Sequence, residues 1–137
     1  MIQVERHTIV QILGSLMKKP ELLSDTDKYI FDVNEFNVPL DRFIFSAIYN
    51  LFINGAESIH AVDIDNYLQQ NKYAKDLMEN ENGISFLQDC EAESEINNFD
   101  FYYKRFKKIN LVRDLQMSKN DIDEIYCEDI LNENYQQ

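Results

Sequence analysis

Three glycines and two prolines in 137 residues leave this chain few places to turn tightly. A sheet protein with many hairpins needs such residues at its corners, whereas helices joined by polar links do not. Apolar residues recur at helical spacing along most of the sequence, so the expected fold is all-α. The pattern reads as a compact bundle of about five or six short helices followed by a long antiparallel helical hairpin. The division falls into a helical globular subdomain over 1–95 and a hairpin over 96–137. With 45% hydrophobic residues, a chain of this length can build a core without a disulfide or metal staple.

One glycine stands where a helix former is expected. In "VQILGSLMKKPELL" the apolar residues Ile9, Ile12, Leu13, Leu16 and Met17 form one face of a helix running from about Val4 to Lys18. Gly14 lies in its middle, at a cost of about 1 kcal/mol relative to alanine. Either the missing side chain admits another helix backbone, or Gly14 occupies an exposed position where little depends on it. Pro20 stops this helix and opens a short one, "PELLSD".

The loop "DVNEFNVPLD" carries Phe36 and Pro39. It leads into "RFIFSAIYNLFING", where Phe43, Ala47, Ile48, Leu51 and Phe52 make an apolar face that Ile44, Phe45 and Tyr49 widen. Asn54-Gly55 ends that helix with a left-handed cap. "SIHAVDIDNYLQQN" is expected to turn Ile64, Tyr67 and Leu68 inward, and "YAKDLM" to form a short helix after it. A loop at Asn82-Gly83 precedes another short helix with Ile84, Phe86 and Leu87.

The last forty residues differ in character. A long helix beginning near Asn97 or Asn98 carries Phe99, Tyr102, Tyr103, Phe106 and Ile109 at helical spacing. Ser118 with Asp121 resembles a cap opening a second arm, whose stripe is Ile122, Ile125, Tyr126 and Ile130. Lys104, Arg105, Lys107, Lys108 and Arg113 make the first arm basic. Asp121, Asp123, Glu124, Glu128, Asp129 and Glu133 make the second acidic. Opposite charge favours register within a hairpin or between two hairpins, and two solvated helix faces are the plainer reading.

The net charge of −12 repels phosphate backbones and argues against DNA binding by this chain alone. The basic, aromatic "YYKRFKK" does resemble some nucleic-acid binders, but its aromatics recur at core spacing. No phosphate-binding glycine loop is present, and His7, His60, Cys90 and Cys127 form no metal-ligand cluster. The carboxylates Asp63/Asp65 and Asp121/Asp123 are two apart on helices and do not face each other. Cys90 lies between Asp89 and Glu91, which disfavours its thiolate. The expectation is therefore no catalytic, cofactor-binding or metal site in this chain. Charges near the N-terminus leave no signal-peptide core, and no apolar run reaches the length of a membrane span, so the chain is expected to be soluble, intracellular and cytoplasmic.

The order of motifs carries a further expectation. "ILGSLMKKPELL", Phe36, "DRFIFSAIYNLFINGAESI", "GISFL" and "INNFDFYYKRFKKINLVRDL" follow one another over about residues 8–125. This series resembles the N-terminal domain of DnaB-type replicative DNA helicases. That family shows a V-L-G-S-L-L…P-E-L-like segment, an H-R-x-I-F-x-A-I-x-x-L helix and a G-G-x-x-Y-L turn. Here Asp41 stands in place of the histidine, and Gly83-Ile84 in place of the double glycine.

The resemblance implies a helical globule with a pairing hairpin, three pairs of which form a collar on a hexameric ring. By that resemblance Phe99, Tyr102, Tyr103, Phe106, Ile109, Ile122, Ile125, Tyr126 and Ile130 make the oligomer interface. Ile12, Leu13, Gly14, Leu16, Arg42, Phe43, Phe45, Ala47, Ile48 and Leu51 pack the core. The implied partners are a second copy, primase and a helicase loader, with no membrane. ATP and magnesium would belong to the ATPase domain of a parent helicase, of which this chain is an excised piece or a free-standing relative. The alternative is an independent helical adaptor that binds a replicative helicase. A small enzyme built on scattered carboxylates is the third and weakest reading.

Overall fold

The computed structural model describes residues 4–118, with side chains through residue 115. Six α-helices follow in order: α1 (Arg6–Lys18), α2 (Pro39–Ile53), α3 (Ala61–Leu68), α4 (Lys72–Asn80), α5 (Gly83–Glu93) and α6 (Phe99–Ser118). Short 3-10 turns occupy Pro20–Ser24, Val33–Glu35 and Ile96–Asn98. The described residues contain no strand, as the scarcity of turn residues implied.

Helix α1 is the centre of the bundle. It lies against α5 and α6 and also touches α2, so every residue from Thr8 to Met17 is buried. The expected apolar face, Ile9 through Met17, is inside as read, but the polar side is enclosed too. Gln11 and Lys18 find partners at the end of α5, Thr8 Oγ1 donates to Glu5 at 2.8 Å, and the buried Ser15 hydroxyl has no hydrogen-bond partner among the described residues. Gln11 Nε2 donates to the Glu93 carbonyl at 2.8 Å, and the Glu95 N–H donates to Gln11 Oε1 at 3.0 Å. Lys18 Nζ donates to the Ser94 carbonyl at 2.6 Å. Carbonyls orphaned at a helix C-terminus are thus satisfied by side chains of the neighbouring helix.

The crossing of α1 and α5 accounts for Gly14. A Cβ at that position would sit far inside contact distance of the Cys90 carbonyl oxygen and of Ser94 Oγ. Because the first of these is backbone, the obstruction cannot swing aside. Gly14 is therefore a close-approach position, and the exposed-site alternative is corrected.

Helix α2 begins one turn earlier than the sequence pattern implied. Pro39, expected in the loop, is its first-turn proline, where the absent N–H is no loss. The helix is also rotated from the expected face. Leu40, Ile44, Phe45, Ala47 and Ile48 are buried, whereas Phe43, Leu51 and Phe52 are half-buried at the edge of the core. Arg42, expected in the core, is exposed and holds the preceding loop, its Nε donating to the Phe36 carbonyl at 2.6 Å. The rotation follows the aromatic cluster under α2: Phe36 lies 5.1 Å from Phe45 and 5.0 Å from Phe106, between ring centroids. Gly55 closes α2 with φ +106°, the left-handed cap that Asn54-Gly55 announced.

Ile64 and Leu68 of α3 are buried, and Tyr67 is half-buried with its hydroxyl accepting from Asn50 Nδ2 at 3.0 Å. Helix α5 is longer than expected and adds Cys90 to its inner face beside Leu87. Ser118, read as opening a second arm, is still helical and belongs to α6. The division drawn at 95/96 falls in the link between α5 and the 96–98 turn, and one core runs across it. The second arm, with Ile122, Ile125, Tyr126 and Ile130, lies outside the described residues.

Candidate docking and assembly surface

Helix α6, the last of the described helices, has two faces in different surroundings. Phe99, Phe106 and Ile109 are at most 3% exposed within this one chain. Phe106 meets Phe36 and Phe31, and Phe99 meets Tyr29 edge-on at 4.8 Å. Such aromatic pairs each add about 0.5–1.5 kcal/mol beyond the area they bury. Tyr102 and Tyr103 are half-buried, and both are tied to the same globule. His7 Nε2 is hydrogen-bonded to Tyr102 Oη at 3.1 Å. Tyr103 Oη accepts from the Ile30 N–H at 2.8 Å and donates to the Ile30 carbonyl at 3.2 Å. Of the residues assigned to an interface between chains, Phe99, Tyr102, Tyr103, Phe106 and Ile109 are thus turned into this chain, while Ile122, Ile125, Tyr126 and Ile130 lie outside the described residues. A stripe at core spacing reads the same whether its partner is the same chain or another, so the periodicity alone did not decide.

The cations of α6 are corrected in the same direction. Arg105 pairs with Glu5 through both its Nε and Nη2, the former at 2.7 Å. Lys107 pairs with Glu35 at 2.7 Å. Arg113 is buried and donates to Asn37 and Asn110. Three of the five basic residues therefore clamp α6 onto the segments at 5 and 35–37. Lys104 remains on the outer side, where it pairs with Asp100 one turn earlier at 2.9 Å and holds that carboxyl below its usual range. Beside it stand two large exposed apolar residues, Phe101 at 59% and Leu111 at 48% exposure. This outer face is the solvent-facing side of α6.

A second feature, not signalled by any motif, is the pairing of Arg6 with Asp41. Two parallel hydrogen bonds of 2.6 and 3.0 Å join them, and the Arg6 guanidinium also lies 4.1 Å over the Phe86 ring. Asp41, the residue that departs from the resembled pattern, is buried while Arg6 is half-exposed. Burial pushes the Asp41 carboxyl above its ordinary 3.8, against the opposing pull of Arg6. The folded protein then binds this proton more tightly than the unfolded chain. Stability linked to Asp41 must rise as pH falls through its folded pKa toward 3.8, because the folded state takes up the proton first. Asp41→Asn keeps one acceptor for Arg6, and because Arg6 is half-exposed and can turn to water, the change is expected to cost about 1–3 kcal/mol at pH 7 rather than the larger penalty of stranding a fully buried charge. Urea midpoints should then show wild type gaining on the variant at lower pH, and a difference constant with pH would contradict this.

Among the described residues no group of three His, Cys, Asp or Glu side chains is placed to hold a metal ion. Cys90 is buried and its thiol is pushed up to about 12, chiefly by desolvation, so it is no nucleophile in the folded state. His60 lies 3.4 Å from Glu91, whose carboxylate also accepts from the Ala61 N–H at the start of α3. That arrangement caps a helix. No helix of the described residues is long and apolar enough to cross a membrane.

The surface that sequence reasoning passed over is the one around Tyr29, Ile30 and Phe31. Three adjacent large apolar residues in a segment without helical spacing were the available signal. Phe31 and Tyr29 turn inward to the aromatic cluster while Ile30 is 61% exposed.

Comparison with known proteins gives one informative similarity. The chain is 32% identical over 127 residues to the SPbeta prophage-derived uncharacterized protein YorI of Bacillus subtilis (strain 168). The match takes in 93% of this chain and 25% of that protein, so the chain spans about a quarter of its length. No protein-family model matches the sequence, and no solved structure matches it significantly.

Proposed function

We propose that this chain is a non-catalytic N-terminal domain of a replicative DNA helicase, serving oligomerisation and partner docking. The observation that carries the reading is the ordered series of motifs from "ILGSL" to "INLVRDL", which runs through almost all of the described fold. Its pieces fall on elements that suit the role. The glycine of "ILGSL" is the point where α1 and α5 nearly touch, and "DRFIFSAIYNL" lies within α2. Helix α6 has its inner face committed to the globule and Phe101 and Leu111 turned outward.

In this reading the domain acts through geometry. The clamps from Arg105, Lys107 and Arg113 hold α6 at a set angle, and its outer face pairs with a second copy to space subunits around a ring. Primase and a loader dock on the acidic globule in the cytoplasm, while ATP and magnesium act in a separate motor domain. A prophage relative about four times as long as the matched region leaves room for such a motor. Fold and motif resemblance support a role by analogy, so the test must reach the whole gene product. Expressed intact, it should form a ring and hydrolyse ATP with stimulation by single-stranded DNA. A product without ATPase activity that binds a replicative helicase would establish the adaptor instead, and one that does neither would contradict both.

A further inference from the structure

An aromatic cleft opens beside the contacts that tie the 29–31 segment to α6. It lies between the segment after Ser24 and helix α2, with a volume of about 620 Å³, within the range of ordinary ligand pockets. Leu23, Phe31 and Phe45 line its inner part, and Ile30 and Tyr49 stand at its mouth. The cleft is held open from behind. Tyr29 Oη donates to Asp100 at 3.2 Å, and Tyr103 Oη grips both backbone groups of Ile30. These bonds anchor the wall to α6, so the wall does not collapse onto α2.

Two further observations say what fits there. Ile30, Tyr49 and Ile53 are 61%, 45% and 59% exposed, and the last two lie one helical turn apart on α2. Ile53 lies beyond the cleft's own lining and extends its apolar surface along α2, so a helix laid in the cleft meets apolar groups over more than one of its own turns. None of the charged residues lines the cleft itself, but the segment that gives it Thr26, Tyr29, Ile30 and Phe31 also carries exposed Asp25, Asp27 and Asp32 and one base, Lys28, whose ammonium is drawn over the Tyr29 ring at 5.3 Å. On a chain of net charge −12, this rim attracts cations and repels both phosphate backbones and a second copy of the same acidic surface.

We propose that this cleft docks an amphipathic helix of a partner protein, with leucine- or isoleucine-type anchors flanked by lysine or arginine. The inference rests on the partner-docking part of the function proposed above and gives that docking a place and a chemistry. It is tested by titrating the chain with a synthetic Leu/Lys amphipathic helix and with its Leu/Glu counterpart, following fluorescence anisotropy of the labelled peptide. The Leu/Lys peptide should bind and the Leu/Glu peptide should not. Tyr49→Lys should weaken binding by about tenfold or more, as loss of a central aromatic anchor does. Val62→Lys adds the same charge at an exposed position of α3 outside the cleft, and should change binding by no more than about twofold, through general screening alone.

Equal losses in the two variants would reduce the effect to overall charge and overturn the proposal. So would an absence of binding to wild type, or equal binding of both peptides. A change in the mass of the unliganded chain on Tyr49→Lys would assign the cleft to a second copy, and also overturn it. Pairing through α6 is read by other residues, Phe101 and Leu111, so failure of the collar reading and failure of this cleft are distinguishable.

Discussion

Replacing Gly14 with leucine is expected to lower the unfolding free energy by about 1–3 kcal/mol or more, the range typical of overpacked cores. The Cβ alone would collide with the Cys90 carbonyl and Ser94 Oγ, and a leucine adds three carbons beyond it. Gly14→Ala separates the two terms at stake. Alanine gains about 1 kcal/mol of helix propensity over glycine. If the close approach dominates, Gly14→Ala is still destabilising, because relief requires moving the end of α5 away from α1. That movement would also loosen the bonds from Gln11 and Lys18 to the 93–95 carbonyl and amide groups. Chemical denaturation measures both variants, and an unchanged midpoint for Gly14→Leu would contradict the packing account.

Truncating Phe106 should cost still more. Its side chain, on the inner face of α6, is fully buried against Phe31 and Phe36, and Phe→Ala changes in such sites cost about 3–5 kcal/mol. Native domains have only about 5–15 kcal/mol in total, so Phe106→Ala leaves the fold marginal. Phe106→Asp adds a buried, unpaired carboxylate and is expected to abolish the fold. Were Phe106 instead part of an interface between chains, Phe106→Asp would yield a folded monomer. Helical circular dichroism with melting separates the two outcomes, and a folded Phe106→Asp chain would contradict the inward placement of the stripe.

The contrast between α1 and α6 shows what a sequence of this kind reveals. In α1 the apolar residues at 9, 12, 13, 16 and 17 marked the buried face correctly, because a central helix has nowhere else to put them. Punctuation was equally legible: Pro20 opens a 3-10 turn, and Gly55 takes the left-handed cap. In α6 the same kind of stripe located the buried side but not the molecule that buries it. The distinction rested on partners far away in the chain, such as Tyr103 with Ile30 and Arg113 with Asn37, separations of 73 and 76 residues. Such long-range pairings leave no local periodicity. The burial of Asp41 is a similar case, since its partner Arg6 is 35 residues distant. The cleft was missed because Tyr29-Ile30-Phe31 alternates between inside and outside in an irregular segment, where neither helical nor strand spacing is sustained.

Solution mass tests assembly through the outer face of α6 most directly. Sedimentation of the chain across a concentration series should show a monomer passing into a dimer. The pair of changes Phe101→Asp and Leu111→Asp should hold it as a monomer with unaltered helical content, because both side chains are exposed within the folded chain. A wild-type chain that stays monomeric throughout the series, or a dimer that survives both substitutions, would contradict pairing through this face.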